Sequence, residues 1–193
     1  MPETHPPVTL EGRSLAGLAQ AIGSRRLPPV DQWHPEHCGD SEMVIRRNGS
    51  WDYRGEPIGR EAMMRLFSNV LRREADGRHV LVTPAERLAI AVESTPFRAI
   101  AMKSEGEGRK RRIGLEIDRA DALIVGPAHP VSLIETPAGP SPRVLVRAGL
   151  EAELTRPVYY ELAEIALAEA NDPPGFWSDG IYFPMSPADG NSP

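Results

Sequence analysis

The segment EAMMRLFSNVL, residues 61–71, decides the fold class, because its apolar side chains recur with the period of an α-helix. Five of them fall on one helical face, at Met63, Leu66, Phe67, Val70 and Leu71. Charged and polar residues lie on the opposite face, as in a helix that packs one side against a core. The sequence therefore predicts an amphipathic helix that follows Pro57.

Strand patterns surround this helix. In RIGLEI, residues 112–117, large apolar residues alternate with smaller or charged ones, the period of two that marks a strand with one wet face. The dipeptide Asn48-Gly49 predicts a tight hairpin turn with two positive φ angles. A helix capped by Ser14 and a second long helix that starts near Pro157 complete the pattern. Further strands are predicted at residues 80–82, 88–93, 97–103, 123–125, 131–135, 144–147, 150–154 and 181–183. The expected class is α+β.

The chain repeats itself at an offset of one hundred residues. The identical pairs are Val44 and Val144, Arg47 and Arg147, Gly49 and Gly149, Pro57 and Pro157, Glu61 and Glu161, and Pro84 and Pro184. Element order matches as well, which predicts a tandem duplication of a small β-rich unit with one helix each. We expect a tail and short helix at residues 1–26, units at 27–93 and 94–185, and a disordered tail at 186–193. Seams between such units are a preferred place for ligands.

Composition excludes several classes of protein. The longest apolar runs are far shorter than the roughly 18 residues of a membrane span, and a net charge of -5 argues against a bulk grip on nucleic acid. The single cysteine, Cys38, allows no internal disulfide. Together with the polar N-terminus, which lacks the apolar stretch of a signal peptide, it predicts a reducing, cytoplasmic location. Solvated tails are expected at residues 1–8 and 186–193.

Catalytic and metal-binding signatures are missing from the sequence. The common nucleophile, zinc and phosphate-loop motifs do not occur, although a scattered active site stays open. His34, His37, Cys38 and Asp40 have no standard zinc spacing, so an exposed turn is favoured over a metal site. His129 could act as a general base, but without an orienting carboxylate nearby in sequence a structural role is favoured. We expect no cofactor and no metal.

Arginines and aromatic residues offer the best chemistry for a ligand. The run Arg109 to Arg112 could hold a phosphate, but alternation splits it between two faces, and pairing with Glu105 and Glu107 on a solvated hairpin is favoured. Arg147 is more suggestive, because it ends the apolar strand 144–146 and needs a partner or a ligand there. Glu151 or Glu153 on the next strand could be that partner.

Several ordered segments resemble a known bacterial family, the one called domain of unknown function 1285. They include GSWDYRGEPI at 49–58, MRLFSNVL at 64–71, LVTP at 81–84, RPVYY at 156–160 and GFWS at 175–178. The resemblance covers nearly the whole chain from residue 27 to residue 184. It implies a duplicated α+β protein whose second half is pleckstrin-homology-like, with a pocket between the halves for a nucleotide-like ligand used in signalling.

The resemblance also implies which residues face that ligand, without separate roles. They are Trp51, Arg60, His129, Arg147, Arg156, Tyr160 and Trp177. The leading hypothesis is a non-enzymatic protein that binds a nucleotide-like anion between its halves and reports it to a protein partner in bacterial signal transduction. The alternatives are an interaction module without a small ligand, recognisable by a tightly packed seam, and a hydrolase in which His129 meets a carboxylate. The sequence leaves the oligomeric state open.

Overall fold

The first half of the chain forms one six-stranded sheet. The structure is a computed structural model that describes residues 6–137 and 139–186. Helix α1 (Leu15–Gly23) comes first, and Ser14 caps it by accepting a hydrogen bond from the Gly17 amide. The sheet contains β1 (His37–Ile45), β2 (Trp51–Tyr53), β3 (Glu56–Pro57), β4 (Leu71–Arg73), β5 (His79–Val82) and β6 (Glu86–Val92), with α2 (Glu61–Asn69) between β3 and β4. The strand order is β3-β2-β1-β6-β5-β4, and the central pair β1 and β6 is parallel.

The second half forms another six-stranded sheet, curled into a half-barrel. It contains β7 (Phe97–Glu105), β8 (Arg112–Ile117), β9 (Leu123–Ile124), β10 (Val131–Thr136), β11 (Gly139–Arg147) and β12 (Leu150–Leu154). Helix α3 (Arg156–Glu169) follows, and β13 (Gly175–Ser178) pairs with β14 (Ile181–Pro184) as a separate hairpin. A curled sheet followed by a helix agrees with the expected pleckstrin-homology-like second half.

The two sheets share one topology. Read from the opposite edge, the second sheet has the order β9-β8-β7-β12-β11-β10, so β1 to β6 correspond to β7 to β12. Every pairing direction also matches, including the central parallel pair, β7 with β12. The tandem β-rich units with one helix each are therefore confirmed. The offset of one hundred residues is wrong for the sheets, because it aligns β1, a central strand, with β11, which lies next to an edge.

The apolar interior consists of two clusters. The larger one joins both units and includes Trp51, Leu71 and Phe97, each nearly inaccessible to water. The smaller one packs the N-terminal segment on the second sheet: Val8, Leu10, Leu15, Leu18 and Ala122. Val8 is 8% exposed and its amide donates to Asp121 Oδ1, so the expectation of a solvated tail up to Val8 is wrong. The outer parts of both expected tails, residues 1–5 and 187–193, lie outside the described residues.

Local differences from the expected elements have simple causes. In the first hairpin only Gly49 takes a positive φ, of 87°, because the loop spans Arg46 to Ser50 and its turn closes with the Gly49 amide on the Arg46 carbonyl. Helix α2 ends at Asn69, and Leu71 begins β4 instead of continuing the helical face. Strands β3, β4 and β13 were not predicted. Among the described residues no helix is both long and apolar enough to cross a membrane.

Candidate functional site

A cavity of about 1080 Å³ lies where the two units and the N-terminal segment meet. The N-terminal segment contributes residues 7, 22 and 24–27, and the first unit contributes residues 28, 29 and 33, residues from α2 and its C-terminal end, and the two residues that follow β5. The second unit contributes the β8–β9 turn, His129 and the end of β11. We call this cavity the seam pocket, and its size is at the upper end for a small-molecule site. The seam between the units is thus not a solid apolar contact.

The charged residues that line the seam pocket are mostly basic. Five arginines and one aspartate are among them: Arg25, Arg26, Arg65, Arg119, Arg147 and Asp121. Asp121 Oδ1 is already occupied by the Val8 amide at 2.8 Å and by Arg25 Nη2 at 3.6 Å. Arg119 is neutralised by Asp118 at 2.6 Å and Glu61 at 3.3 Å. Arg26, Arg65 and Arg147 form no ion pair with any described residue, so the pocket has a surplus of positive charge.

Arg147 is the most unusual of these side chains. Burial lowers its pKa to about 10, against the opposing charges of Asp121 and Asp31. The guanidinium therefore stays charged at neutral pH although its side chain is half-buried. One Nη donates to the Ser68 carbonyl near the end of α2, and the group lies 5.4 Å from the centre of the Phe97 ring. The remaining N–H groups have no protein acceptor among the described residues, so they are available to an anion.

A β-bulge explains why Arg147 points into the seam pocket. The register between β11 and β12 shifts between Leu145 and Arg147. In a regular strand adjacent side chains point to opposite faces, yet Val146 and Arg147 both line the pocket. A bulge changes this alternation and redirects a side chain.

The partner expected for Arg147 on the neighbouring strand was wrong. Glu151 pairs with Arg143 at 3.3 Å, and Glu153 accepts from the Ser94 hydroxyl at 2.7 Å. The bulge turns Arg147 away from both carboxylates. The charge of Arg147 is therefore available to a ligand in the seam pocket.

His129 also lines the seam pocket. Its Nδ1 is 3.0 Å from the Leu145 carbonyl, so Nδ1 carries the proton and Nε2 is left as an acceptor in the neutral ring. No described carboxylate pairs with this histidine. The geometry that a general base would need is thus not found among the residues described.

The other five residues implied by the family resemblance lie away from the seam pocket. Trp51 is 1% exposed and stacks on Phe67 in the core. Arg60 and Arg156 are exposed at the starts of α2 and α3. Tyr160 is 60% exposed on α3. Trp177, on β13, packs against Tyr182 and under Arg109.

The basic run and the histidine–cysteine segment have structural partners. Arg111 pairs with Glu169 on α3 and Arg112 with Asp179 after β13. Glu105 lies opposite Arg112 in the ladder, as expected, but its ion pair is with Lys103. Cys38 is exposed and accepts a hydrogen bond from Arg87. No group of metal-binding side chains occurs among the described residues.

Sequence reasoning missed most of the pocket wall. Arg65 lies on the polar face of α2, where a solvated role is the ordinary reading. Arg25 and Arg26 precede a proline-rich turn that carries no motif. A buried arginine, Arg72, fixes this turn: its guanidinium donates to the carbonyls of Val30 and Trp33 and pairs with Glu74. Only long-range packing brings these segments together.

Arginines also bind the two units to each other. Arg98 and Arg119 of the second unit donate to the carbonyls of Asn48 and Gly49, in the β1–β2 turn. In return, Arg73 of the first unit donates to the Gly149 carbonyl, in the β11–β12 turn. Each unit thus holds a hairpin turn of the other, and Arg119, which makes one of these contacts, also lines the seam pocket.

Comparisons with known proteins give matches over most of the chain. Residues 28–95 match the family model described as "Domain of unknown function (DUF1285), N-terminal domain", and residues 96–185 match "Protein of unknown function (DUF1285), C-terminal domain". A search of curated proteins found no match. The N-terminal segment that forms one wall of the seam pocket precedes both matched regions.

Two crystal structures resemble the chain. One is a DUF1285 family protein from Silicibacter pomeroyi DSS-3, 40% identical, with a TM-score of 0.77 over 90% of this chain and 95% of that one. The other is a DUF1285 family protein from Shewanella baltica OS155, 21% identical, with a TM-score of 0.50 over 67% of this chain and 96% of that one. At that identity the second comparison shows the fold alone.

Proposed function

Because this chain belongs to the DUF1285 family, whose function is unknown, we propose its function from the geometry of its own seam pocket. It is a non-enzymatic protein that binds a small organic anion there and reports it to a protein partner in bacterial signal transduction. It acts in the cytoplasm. The single observation that carries this proposal is Arg147, a half-buried and charged guanidinium in a large cavity with no ion-pair partner among the described residues.

The energetic argument favours a ligand over a purely structural role. Burying a charge is costly unless an opposite charge or several hydrogen bonds compensate. Here the Ser68 carbonyl uses one donor of Arg147, while Arg26 and Arg65 add unpaired positive charge in the same cavity. An anion would supply the missing compensation, with the fork-shaped contacts that guanidinium groups prefer. A nucleotide-like ligand belongs to this class, with Trp33 as the aromatic side chain in the lining.

Thermal denaturation of the full chain against a panel of organic anions, including nucleotides, tests this proposal. A ligand at one hundred times its dissociation constant adds about 2.7 kcal/mol to the free energy of unfolding. We expect at least one anion to raise the melting temperature of the wild-type protein. The shift should disappear in Arg147→Gln and persist in Arg109→Gln, whose arginine lies on Trp177 outside the pocket.

Two results would count against the proposal. One is a panel in which no anion stabilises the wild-type chain. The other is a shift that Arg147→Gln retains in full, because the ligand would then be bound elsewhere.

A second candidate function, a protein interaction module, is favoured by the outer side of α3. Leu167 is 72% exposed there, and Tyr160 is one of the other exposed apolar residues of the same helix. Their spacing of seven residues places them on one helical face. We propose that a protein partner contacts this surface and distinguishes the ligand-bound from the ligand-free protein. A partner that binds equally with and without any anion, and that Leu167→Lys abolishes, would favour the module without a small ligand.

A further inference from the structure

We propose that the ligand of the seam pocket is an amphipathic anion, with an acidic head on Arg147 and an aliphatic chain along the apolar wall. This inference rests on the proposed function and names its ligand class. Its basis is the uneven composition of the lining: the charged side chains are mostly basic, and most of the uncharged ones are aliphatic or proline.

The aliphatic wall comes from all three parts of the molecule that meet at the seam. Its main members are Ile22, Leu27, Leu66, Val70, Leu123 and Val146. Prolines 28, 29 and 84 extend the same surface. A cavity with such walls binds the apolar body of a ligand by removing it from water, and its few polar groups set the orientation.

A planar base fits this wall less well than a chain does. Recognition of a base relies on stacking between flat side chains and on polar groups that meet its edge. Trp33 is the one tryptophan, tyrosine or phenylalanine among the lining residues, and its backbone is fixed by Arg72. The aromatic residues that the sequence suggested, Trp51, Tyr160 and Trp177, lie elsewhere.

The position of Arg147 places the acidic head at one end of this wall. Arg147 and Val146 are neighbours at the bulge of β11 and both line the cavity, so the head and the first methylenes would meet adjacent residues. Leu66 and Val70 of the α2 region continue the apolar surface beside the Ser68 carbonyl that Arg147 already holds. Leu27, in the wall next to the N-terminal segment, is 43% exposed, and an aliphatic chain in the cavity would cover it.

Isothermal titration of the full chain with octanoate, decanoate and dodecanoate tests the inference. Each added methylene should tighten binding by up to about fourfold, the factor expected for moving a methylene out of water. Decanol has the same body without the charge and should bind at least about tenfold more weakly than decanoate. Adenosine monophosphate should also bind more weakly than decanoate.

Three variants separate the contribution of the ligand's acidic head to binding from that of its aliphatic chain. Arg147→Gln should weaken the binding of decanoate by about tenfold or more and leave the binding of decanol unchanged. Leu66→Asn should weaken decanoate by about tenfold and leave inorganic phosphate unchanged, because it alters the wall and not the charge. Arg109→Gln, which removes an arginine outside the pocket, should change neither.

The outcomes distinguish this inference from the proposed function. If adenosine monophosphate binds through Arg147 and the carboxylates show no dependence on chain length, the amphipathic ligand is overturned and anion binding stands. If no anion binds at all, both are overturned. Affinity that rises with chain length and falls in both Arg147→Gln and Leu66→Asn supports the inference.

Discussion

At Arg147, charge and burial oppose each other. Its pKa, lowered to about 10 by burial, means that the folded protein without ligand holds this charge at a cost in stability. The hydrogen bond to the Ser68 carbonyl offsets part of that cost. Ser68 lies near the C-terminal end of α2, where the helix dipole favours a cation. A charged residue that is held at a cost in stability is typical of a binding site.

The first prediction concerns the stability of the ligand-free protein. The lowered pKa corresponds to at most about 3 kcal/mol, and the lost bond to Ser68 to about 1–3 kcal/mol. Arg147→Met should therefore leave the free energy of unfolding unchanged or raise it by about 1 kcal/mol, measured by urea denaturation at pH 7. In the wild type this cost is constant below about pH 10 and is relieved only as the pH rises above it. A loss above about 2 kcal/mol in the variant would mark Arg147 as mainly structural.

The second prediction concerns pH. Burial, and then the charge of Arg73, lower the pKa of His79 below its ordinary 6.5. As pH falls below about 6.5, the unfolded chain takes up a proton that the folded chain resists, so the wild type loses stability. His79→Gln removes this group, and its stability relative to the wild type should increase as pH falls from 7 to 5 in chemical denaturation. A difference that does not depend on pH would contradict the assignment.

At the scale of elements, the N-terminal segment behaves as part of the second unit. The α1 amide of Leu15 donates to the Glu105 carboxylate and Leu10 to Glu116, while the Lys103 ammonium donates to the Arg13 carbonyl. Its apolar side chains pack over Gly114 of β8. The segment thus brings Arg25, Arg26 and Leu27 to the seam pocket through contacts made with the sheet.

The third prediction tests this packing. A Cβ at Gly114 would lie 2.5 Å from Leu15 Cδ2 and 2.9 Å from Leu10 Cδ2, so Gly114→Ala forces these leucine side chains, or the segment that carries them, to move. We expect a loss of about 1–3 kcal/mol in the free energy of unfolding and faster proteolysis near α1. The matched change Gly59→Ala meets no atom within 4 Å and should be nearly neutral. Equal effects of the two substitutions would refute the close packing at Gly114.

At the scale of the whole molecule, the units are joined through their hairpin turns. Arg98 and Arg119 hold the turn at Gly49, and Arg73 holds the turn at Gly149. The two turns are not equivalent in the shared topology, because the β1–β2 turn corresponds to the β7–β8 turn and not to the β11–β12 turn. The reciprocal contact fixes the relative position of the walls that enclose the seam pocket.

The fourth prediction compares two glycines with similar backbones. Gly49 and Gly55 have φ angles of 87° and 84°, so alanine at either costs about 1 kcal/mol for backbone strain. At Gly49 the new Cβ would also lie 2.9 Å from Arg98 Cδ, whereas at Gly55 it meets nothing within 4 Å. Gly49→Ala should therefore lower the melting temperature more than Gly55→Ala does. If the two shifts are the same, Arg98 does not brace the turn.

Local patterns in the sequence were enough for most elements and for the tandem plan. The Ser14 cap, the face of α2 and the alternation of β8 each depend on a few neighbouring residues. The seam pocket depends on long-range packing, so only Arg147 and His129 of the seven suggested residues reached it. The family resemblance pointed to aromatic residues that belong to the core, as Trp51 shows. The offset of one hundred residues matched the hairpin turns after β1 and β11, although these two strands occupy different places in their sheets.

The central parallel pairs constrain the order in which parts of the protein can fold during synthesis on the ribosome. Because β1 lies beside β6, and β7 beside β12, neither sheet can close until its last strand has left the exit tunnel. The first unit can complete itself while the second is still being translated. Val8, Leu10 and Leu15, made before either sheet, must wait for β8 and β9 before they are covered. These residues, which precede both sheets in the chain, are therefore packed late, and the seam pocket gains the wall that the N-terminal segment supplies only near the end of folding.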